Sequence, residues 1–211
     1  MDKYYIDKKS DKLLLFFAGW GCDEYEFEHL YTDSDLLILY NYTDLKLDFN
    51  FSKYKEINLL AFSAGVFIAS IFDYKFNINK KYAIDGNPYL FDTKYGLSDK
   101  MQDILFNITE DNVDDFARNF LVKTDEEYNN FHPSKRTIES CKTELICLKN
   151  LYKLNKQKIG DIFDKAIFGE DDKIFDVSAQ KEFYGNKQRI LKNSRHNPFF
   201  RIKSFEEIFY L

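Results

Sequence analysis

The sequence predicts an α/β architecture, a mainly parallel sheet with helices on both faces, and three observations lead there. Apolar runs of strand length recur along the chain, helical patterns separate most of them, and one run, Ile57 to Phe62, is apolar at nearly every position. A strand covered on both faces must be apolar throughout, and strands that alternate with helices pair in parallel through crossovers.

The strand-like runs are Leu13 to Ala18, Leu36 to Tyr40, Ile57 to Phe62, Tyr82 to Asp85, Lys165 to Phe168 and Arg189 to Leu191. The first ends in Gly19-Trp20-Gly21, whose glycines let backbone approach a ligand closely. The third runs into a helical pattern that begins at Ala64 and carries Val66, Phe67, Ile68, Ile71 and Phe72. The stretch from about 92 to 158 breaks the rhythm. Helical patterns follow one another there (Asp99 to Phe106, Val113 to Leu121, Lys135 to Leu154) without a convincing strand, so it reads as a helical cap insertion within a single domain spanning 1–211. Ligands in open sheets sit beyond the carboxyl ends of the strands, and an insertion after the strand near Ile84 is placed to roof that site. Ser204-Phe205-Glu206-Glu207 reads as a capping box opening a last helix through Leu211.

Composition narrows the functional classes. With 211 residues, 45% of them apolar and 18% aromatic, the chain has the material for a sizeable core. A net charge of -5 gives no basic footprint for nucleic acid. The start, Met1-Asp2-Lys3-Tyr4-Tyr5-Ile6-Asp7, is charged and lacks the apolar region of a secretion signal. No run approaches the roughly 18 apolar residues of a membrane span. A cytoplasmic location is expected. Cys22, Cys141 and Cys147 have no metal-ligand spacing and read as free thiols in a reducing compartment; neither a metal nor a cofactor is expected. The acidic stretch Glu110 to Asp115 reads as a helix start with carboxylates at its positive end.

The chemistry centres on Ser63. In Ala61-Phe62-Ser63-Ala64-Gly65 the chain passes from strand to helix with small residues flanking the serine, the G-x-S-x-G pattern of a nucleophile elbow with alanine at its first position. The same placement also suits a helix N-cap. A serine nucleophile needs an imidazole to take its proton and a carboxylate to orient that imidazole. Of three histidines, His29 lies in the acidic, aromatic Glu24 to His29 segment and reads as a helix-surface residue, while His132 precedes Pro133 and reads as a turn residue. His196 instead follows the last strand-like run, where a loop would place a general base. In Gly169-Glu170-Asp171-Asp172-Lys173-Ile174 a strand ends at a glycine followed by acids, resembling the turn that delivers the acid in α/β-hydrolases. Counting from Gly169 selects Asp172, with Asp171 the nearest competitor. The order serine, acid, histidine is the one that fold uses. For the oxyanion, the amide of Ala64 at the helix start is one donor and that of Trp20 the candidate second, the lesser alternative being an indole that packs on the sheet beside glycines that merely form a turn.

Together, Phe17-Ala18-Gly19-Trp20-Gly21, Tyr40-Asn41-Tyr42-Thr43-Asp44-Leu45, Phe62-Ser63-Ala64-Gly65-Val66, Ala83-Ile84-Asp85-Gly86-Asn87-Pro88-Tyr89 and His196-Asn197-Pro198-Phe199 resemble the BioG type of pimeloyl-acyl-carrier-protein methyl ester esterase. The resemblance spans nearly all of the catalytic scaffold, with only Phe116-Ala117-Arg118-Asn119-Phe120 echoing it in the insertion. Asn41 departs from it, standing where an acid is commoner in the family. It implies an α/β-hydrolase fold, a triad of Ser63, Asp172 and His196, and an oxyanion hole from Trp20 and Ala64. It also implies, as partner, an acyl carrier protein bearing a pimeloyl methyl ester, for biotin precursor synthesis. Such carriers are acidic, which makes Arg118, Lys123, Lys135, Arg136 and Lys142 in the insertion candidates for docking, or else the solvated faces of exposed helices. Competing readings are another acyl hydrolase on the same scaffold (a thioesterase or short-chain carboxylesterase) and a non-enzymatic acyl-carrier-binding module.

Overall fold

Runs of Leu, Ile and Phe form the strands β2 (Lys12–Phe17), β3 (Asp35–Tyr40), β4 (Glu56–Phe62), β5 (Lys80–Ile84), β6 (Lys165–Gly169) and β7 (Gln188–Leu191), preceded by β1 (Asp2–Ile6). In the computed structural model, which describes all 211 residues, they make one sheet of order β1-β3-β2-β4-β5-β6-β7. Every neighbouring pair is parallel except β1 with β3. The sequence reading has no strand at β1. Its Asp2, Lys3 and Tyr4 are exposed at the sheet edge, so it shows no apolar run.

Alternation along the strands divides the core into two layers. Leu13, Leu15 and Phe17 of β2 join Leu37, Leu39, Leu59, Ala61, Ala83 and Phe168 on one face. Helices α1 (Ala64–Ile71), α2 (Asp99–Phe106), α5 (Ile138–Asn155) and α6 (Val177–Tyr184) cover it. Leu14 and Phe16 join Leu36, Ile38, Leu60, Phe62, Ile84 and Ile167 on the other face. There the cover consists of 3-10 turns at Glu24–Phe27, Phe199–Arg201 and Phe205–Tyr210. Three of their phenylalanines, Phe27, Phe199 and Phe205, gather on fully buried Phe16 at ring-centroid distances of 4.8, 5.6 and 5.3 Å.

Between β5 and β6 the chain has helices joined by loops and no strand: α2, α3 (Val113–Phe116) running into a π turn at Ala117–Leu121, α4 (Asp125–Asn129), and α5. The α4 turn has no buried residue, hence no periodicity to read; a capping box between Thr124 and Glu127 holds it. At the C-terminus the expected helix is a 3-10 turn. Ser204 accepts the Glu207 N–H, but the Glu207 carboxylate turns to the Lys203 N–H at 3.2 Å, leaving the box half made. Glu206 instead accepts from the Thr32 hydroxyl (2.6 Å) and the Asp33 N–H (3.0 Å), pinning this end to the loop before β3. No helix is long and apolar enough to cross a membrane.

Candidate active site

Four of the connections at the carboxyl ends of the strands converge on Ser63. The residue has φ 53° and ψ -122° and its side chain makes no capping bond to α1, so the hydroxyl is not engaged in capping. A left-handed serine is strained, and the tight turn behind it requires Gly65, where a Cβ would fall 2.3 Å from the Phe17 carbonyl oxygen. From the loop after β7, His196 brings Nε2 to 2.9 Å from Ser63 Oγ. Its Nδ1 lies 3.0 Å from Asp172 Oδ2. The other carboxylate oxygen of Asp172 accepts the N–H groups of Ile174 (2.8 Å) and Phe175 (3.3 Å), which fix its orientation. Hydroxyl, imidazole and carboxylate thus form one continuous hydrogen-bonded chain.

The competitor Asp171 points elsewhere: its carboxylate pairs with Lys123, which holds it below the usual carboxylate range. His196 is buried, its ring between Phe62 and Phe175 at centroid distances of 5.2 and 5.8 Å, which keeps water from the imidazole. The flanking residues tie the loop to the helical segment. Asn197 N–H donates to the Leu121 carbonyl (3.1 Å), and the Arg195 guanidinium donates to the carbonyls of Arg118 (2.7 Å) and Val122 (2.5 Å). Gly169 allows the acid turn to meet this loop, since a Cβ there would lie 2.4 Å from the carbonyl oxygens of Ser194 and Arg195.

Ala64 is the first residue of α1, so its N–H has no partner within the helix. The Trp20 N–H also donates to no protein group. The Trp20 indole packs against the core and donates to the Cys141 carbonyl of α5 at 2.7 Å. One turn on, Glu144 accepts the Gly21 N–H at 3.1 Å and the Tyr42 N–H at 2.9 Å. The loop after β2 is therefore strapped to α5. Glu144 is fully buried, on the helix stripe shared with Cys141, Leu145 and Leu148. An acid on an apolar stripe is the signal that would have marked it in the sequence.

A cavity of about 160 Å³ lies against Ser63, and 19 of its 28 lining residues are hydrophobic. Trp20, Ala64 and His196 line it from the sheet side, while Leu97, Leu105, Phe116, Leu121, Leu145 and Leu148 line it from the segment between β5 and β6. Such walls suit an acyl chain and give little to a charged one. The lining thiols Cys22 and Cys141 are pushed up by burial, which disfavours their reactive thiolate forms. Glu26 also lines it. Its carboxyl accepts from Asn197 Nδ2 at 2.7 Å, and burial raises it from 4.5 to about 7. The sequence reading singled out only His29 of this segment, as a surface residue, and it is exposed; Glu26, which it did not single out, is buried.

The five basic residues divide. Arg136 is a correction: its side chain is only 8% exposed and its guanidinium donates to Glu144 at 2.6 Å, to Asn41 Oδ1 at 2.9 Å and to the Cys22 carbonyl at 3.3 Å. It serves the interior rather than a partner. This also accounts for Asn41, whose amide accepts from Arg136 while donating to Asp2 at 2.8 Å; a carboxylate could not donate. Lys123 is engaged with Asp171. Arg118 lies 3.4 Å from the Tyr128 ring centroid and pairs with Asp125, and Lys135 stands 3.4 Å over the Tyr25 ring. Lys142 is half-exposed. Of the other histidines, His29 bonds the Phe199 carbonyl at 3.2 Å and its ring lies 5.3 Å from that of His132; neither hydrogen-bonds Ser63, His196 or Asp172.

A family model described as pimeloyl-ACP methyl esterase BioG matches residues 1–207. The chain belongs to the BioG family. A crystal structure of BioG from Haemophilus influenzae superposes with a TM-score of 0.85 at 27% identity, covering 98% of this chain and 99% of that one. An uncharacterized Haemophilus influenzae protein is 30% identical over 188 residues, 87% of each chain. A malonyl-acyl-carrier-protein O-methyltransferase of Bacteroides fragilis is 32% identical over 176 residues, which are 80% of this chain but 36% of that protein. This chain thus spans about a third of that relative. A lipase-esterase related protein from Clostridium acetobutylicum shares the fold, with a TM-score of 0.58 at 20% identity. The fold is that of the α/β-hydrolases, and the family supports an ester hydrolase.

Proposed function

We propose that the chain is a serine esterase that cleaves the methyl ester of a pimeloyl group carried on acyl carrier protein, in the cytoplasm, during biotin precursor synthesis. The observation that carries this reading is the unbroken relay from Ser63 through His196 to Asp172, opening on an apolar cavity. The chain works as a single domain, with residues 92 to 158 forming the cap that supplies the outer wall of the cavity.

In this mechanism Ser63 Oγ attacks the ester carbonyl as His196 Nε2 takes its proton, while Asp172 holds the ring so that Nε2 is the free acceptor. The N–H groups of Ala64 and Trp20 receive the oxyanion, Ala64 with the added field of the α1 terminus. His196 returns the proton to the departing methoxide, and a water that it activates then cleaves the acyl-enzyme. Methanol and a free carboxylate result. Lys135, Lys142, Arg118 and Lys123 offer the charge that steers an acidic carrier.

The test compares carrier-bound pimeloyl methyl ester, the free dimethyl ester and a p-nitrophenyl ester on the wild-type chain and on Ser63→Ala. The expected result is a preference for the carrier-bound ester in kcat/KM and loss of all three activities in the variant, by a factor of about 10⁴ or more. Preference for the simple esters overturns the carrier assignment, and undiminished turnover in Ser63→Ala overturns the nucleophile.

A further inference from the structure

Beside Asp172 lies a second buried carboxyl that the mechanism leaves unused. Asp85 follows β5 with φ 41°, a backbone that aspartate tolerates better than most residues, and it is only 1% exposed. Its Oδ1 accepts the Gly169 N–H at 2.7 Å. Its Oδ2 is sealed from water and meets no hydrogen-bond donor. Asp85, Asp172 and His196 each bring a polar atom within 4.8 Å of the others. Both ring nitrogens of His196 are already engaged, by Asp172 and Ser63, so the trio reads as a hydrogen-bonded relay rather than a ligand set.

Two ionised carboxylates at this separation, away from water, repel strongly, and one of them keeps a proton. The donors decide which. Asp172 receives two backbone N–H groups and the imidazole, all of which favour its charged form. Asp85 receives one N–H, and its second oxygen has nothing to accept. A proton on that oxygen turns an unmatched acceptor into a donor, and the acceptor facing it is Asp172. Burial, the charge of Asp172 and a hydrogen bond shared with it all push the Asp85 carboxyl well above the usual carboxylate range.

We propose that Asp85 is a positioning residue, a neutral carboxylic acid whose Oδ2–H donates to the Asp172 carboxylate and clamps it in place. The orienting acid is then held by backbone amides on one oxygen and by a protonated partner beside it, and the relay carries one negative charge instead of two. The proposal rests on the reading of Ser63, His196 and Asp172 as the reacting group.

The experiment compares wild type, Asp85→Asn and Asp85→Ala with a p-nitrophenyl ester across pH, together with infrared spectra of the same proteins. Asparagine is neutral, isosteric and able to donate. Asp85→Asn is expected to keep kcat within about threefold, with the acid limb of kcat/KM within about 0.3 pH units of wild type. Asp85→Ala should lose about 10- to 100-fold in kcat with little change in KM, the scale on which supporting partners act. At neutral pH wild type should show the carbonyl band of a protonated carboxylic acid that Asp85→Asn lacks. A fall of the acid limb by about one unit in Asp85→Asn would mean that an anion had been removed, and overturns the proposal. So does the absence of the infrared band, or full activity in Asp85→Ala. Failure of the underlying triad shows separately, as esterase activity that survives Ser63→Ala whatever the infrared result.

Discussion

Replacing Glu144 by leucine should cost this fold more than any other single change on α5, and the reason is visible in three bonds. One carboxylate oxygen receives the Tyr42 N–H at 2.9 Å; the other receives the Gly21 N–H at 3.1 Å and the Arg136 guanidinium at 2.6 Å. Leucine fills the space but strands a guanidinium that is only 8% exposed, and breaking one side of a buried pair typically costs about 3 to 5 kcal/mol. For a domain of this size each kcal/mol moves the melting temperature by about 2 to 4 °C, so a loss of 8 to 16 °C is expected for about 4 kcal/mol. The double variant Arg136→Met, Glu144→Leu removes the stranded charge and should recover most of that loss in a thermal melt. Its activity should not recover. Gly21 and Tyr42 remain without their acceptor, so the loop that presents the Trp20 amide is no longer fixed, and kcat with a p-nitrophenyl ester should stay down by about tenfold or more. If Glu144→Leu melts within about 3 °C of wild type, or the double variant is no more stable than the single, the stranded charge is not what the carboxylate prevents.

Asp172→Asn should lower kcat by about 10³ to 10⁴, because an amide N–H facing Nδ1 imposes the wrong tautomer on His196, while Asp171→Asn should stay within about twofold; equal losses in the two variants would refute the assignment of the acid. Glu26 sits at about 7 in the folded chain against 4.5 unfolded, so the folded state binds its proton more tightly, and the stability it contributes is full below pH 4.5 and lost as pH rises through about 7. Glu26→Gln should remove that slope and be more stable than wild type at pH 8 by about 3 kcal/mol in urea unfolding; superimposable pH profiles would show that burial does not hold the proton. Gly169→Ala places a Cβ 2.4 Å from two carbonyls of the histidine loop and should abolish activity by parting acid from base; wild-type turnover would refute that close packing. Charge reversal at Lys135 and Lys142 should raise KM for a carrier-bound ester, most at low salt, and leave a p-nitrophenyl ester untouched; equal effects on both substrates would argue against steering.

What the sequence discloses follows from how far apart its causes lie along the chain. The inner strands are legible because both faces of β4 are buried, so Leu59, Leu60 and Ala61 are apolar whichever way they point. The relay is legible because each member ends a strand or opens a turn whose local chemistry is distinctive: small residues around Ser63, a glycine before the acids, a loop histidine after the last strand. Edge strand β1 and the polar turn α4 leave no such pattern. The residues that hold the site in place are harder to see for a different reason. Arg136 reads by itself as an ordinary surface charge of a helical segment, Glu144 is marked only by its apolar stripe, and only the fold shows that each is buried by the other and by the loop after β2. Asp85 is intermediate. An acid ending an apolar strand was in plain view, but its meaning depends on Asp172, which lies in the turn after the neighbouring strand β6, at the far side of the helical segment. Side chains that react therefore announce themselves through local backbone requirements, whereas side chains that support them are defined by partners distant in sequence. The supports are also where the stability and the activity of this chain meet. The carboxylate that neutralises Arg136 is the one that anchors Gly21, so any change that loosens α5 reaches the loop beside Ser63 without touching a reacting atom.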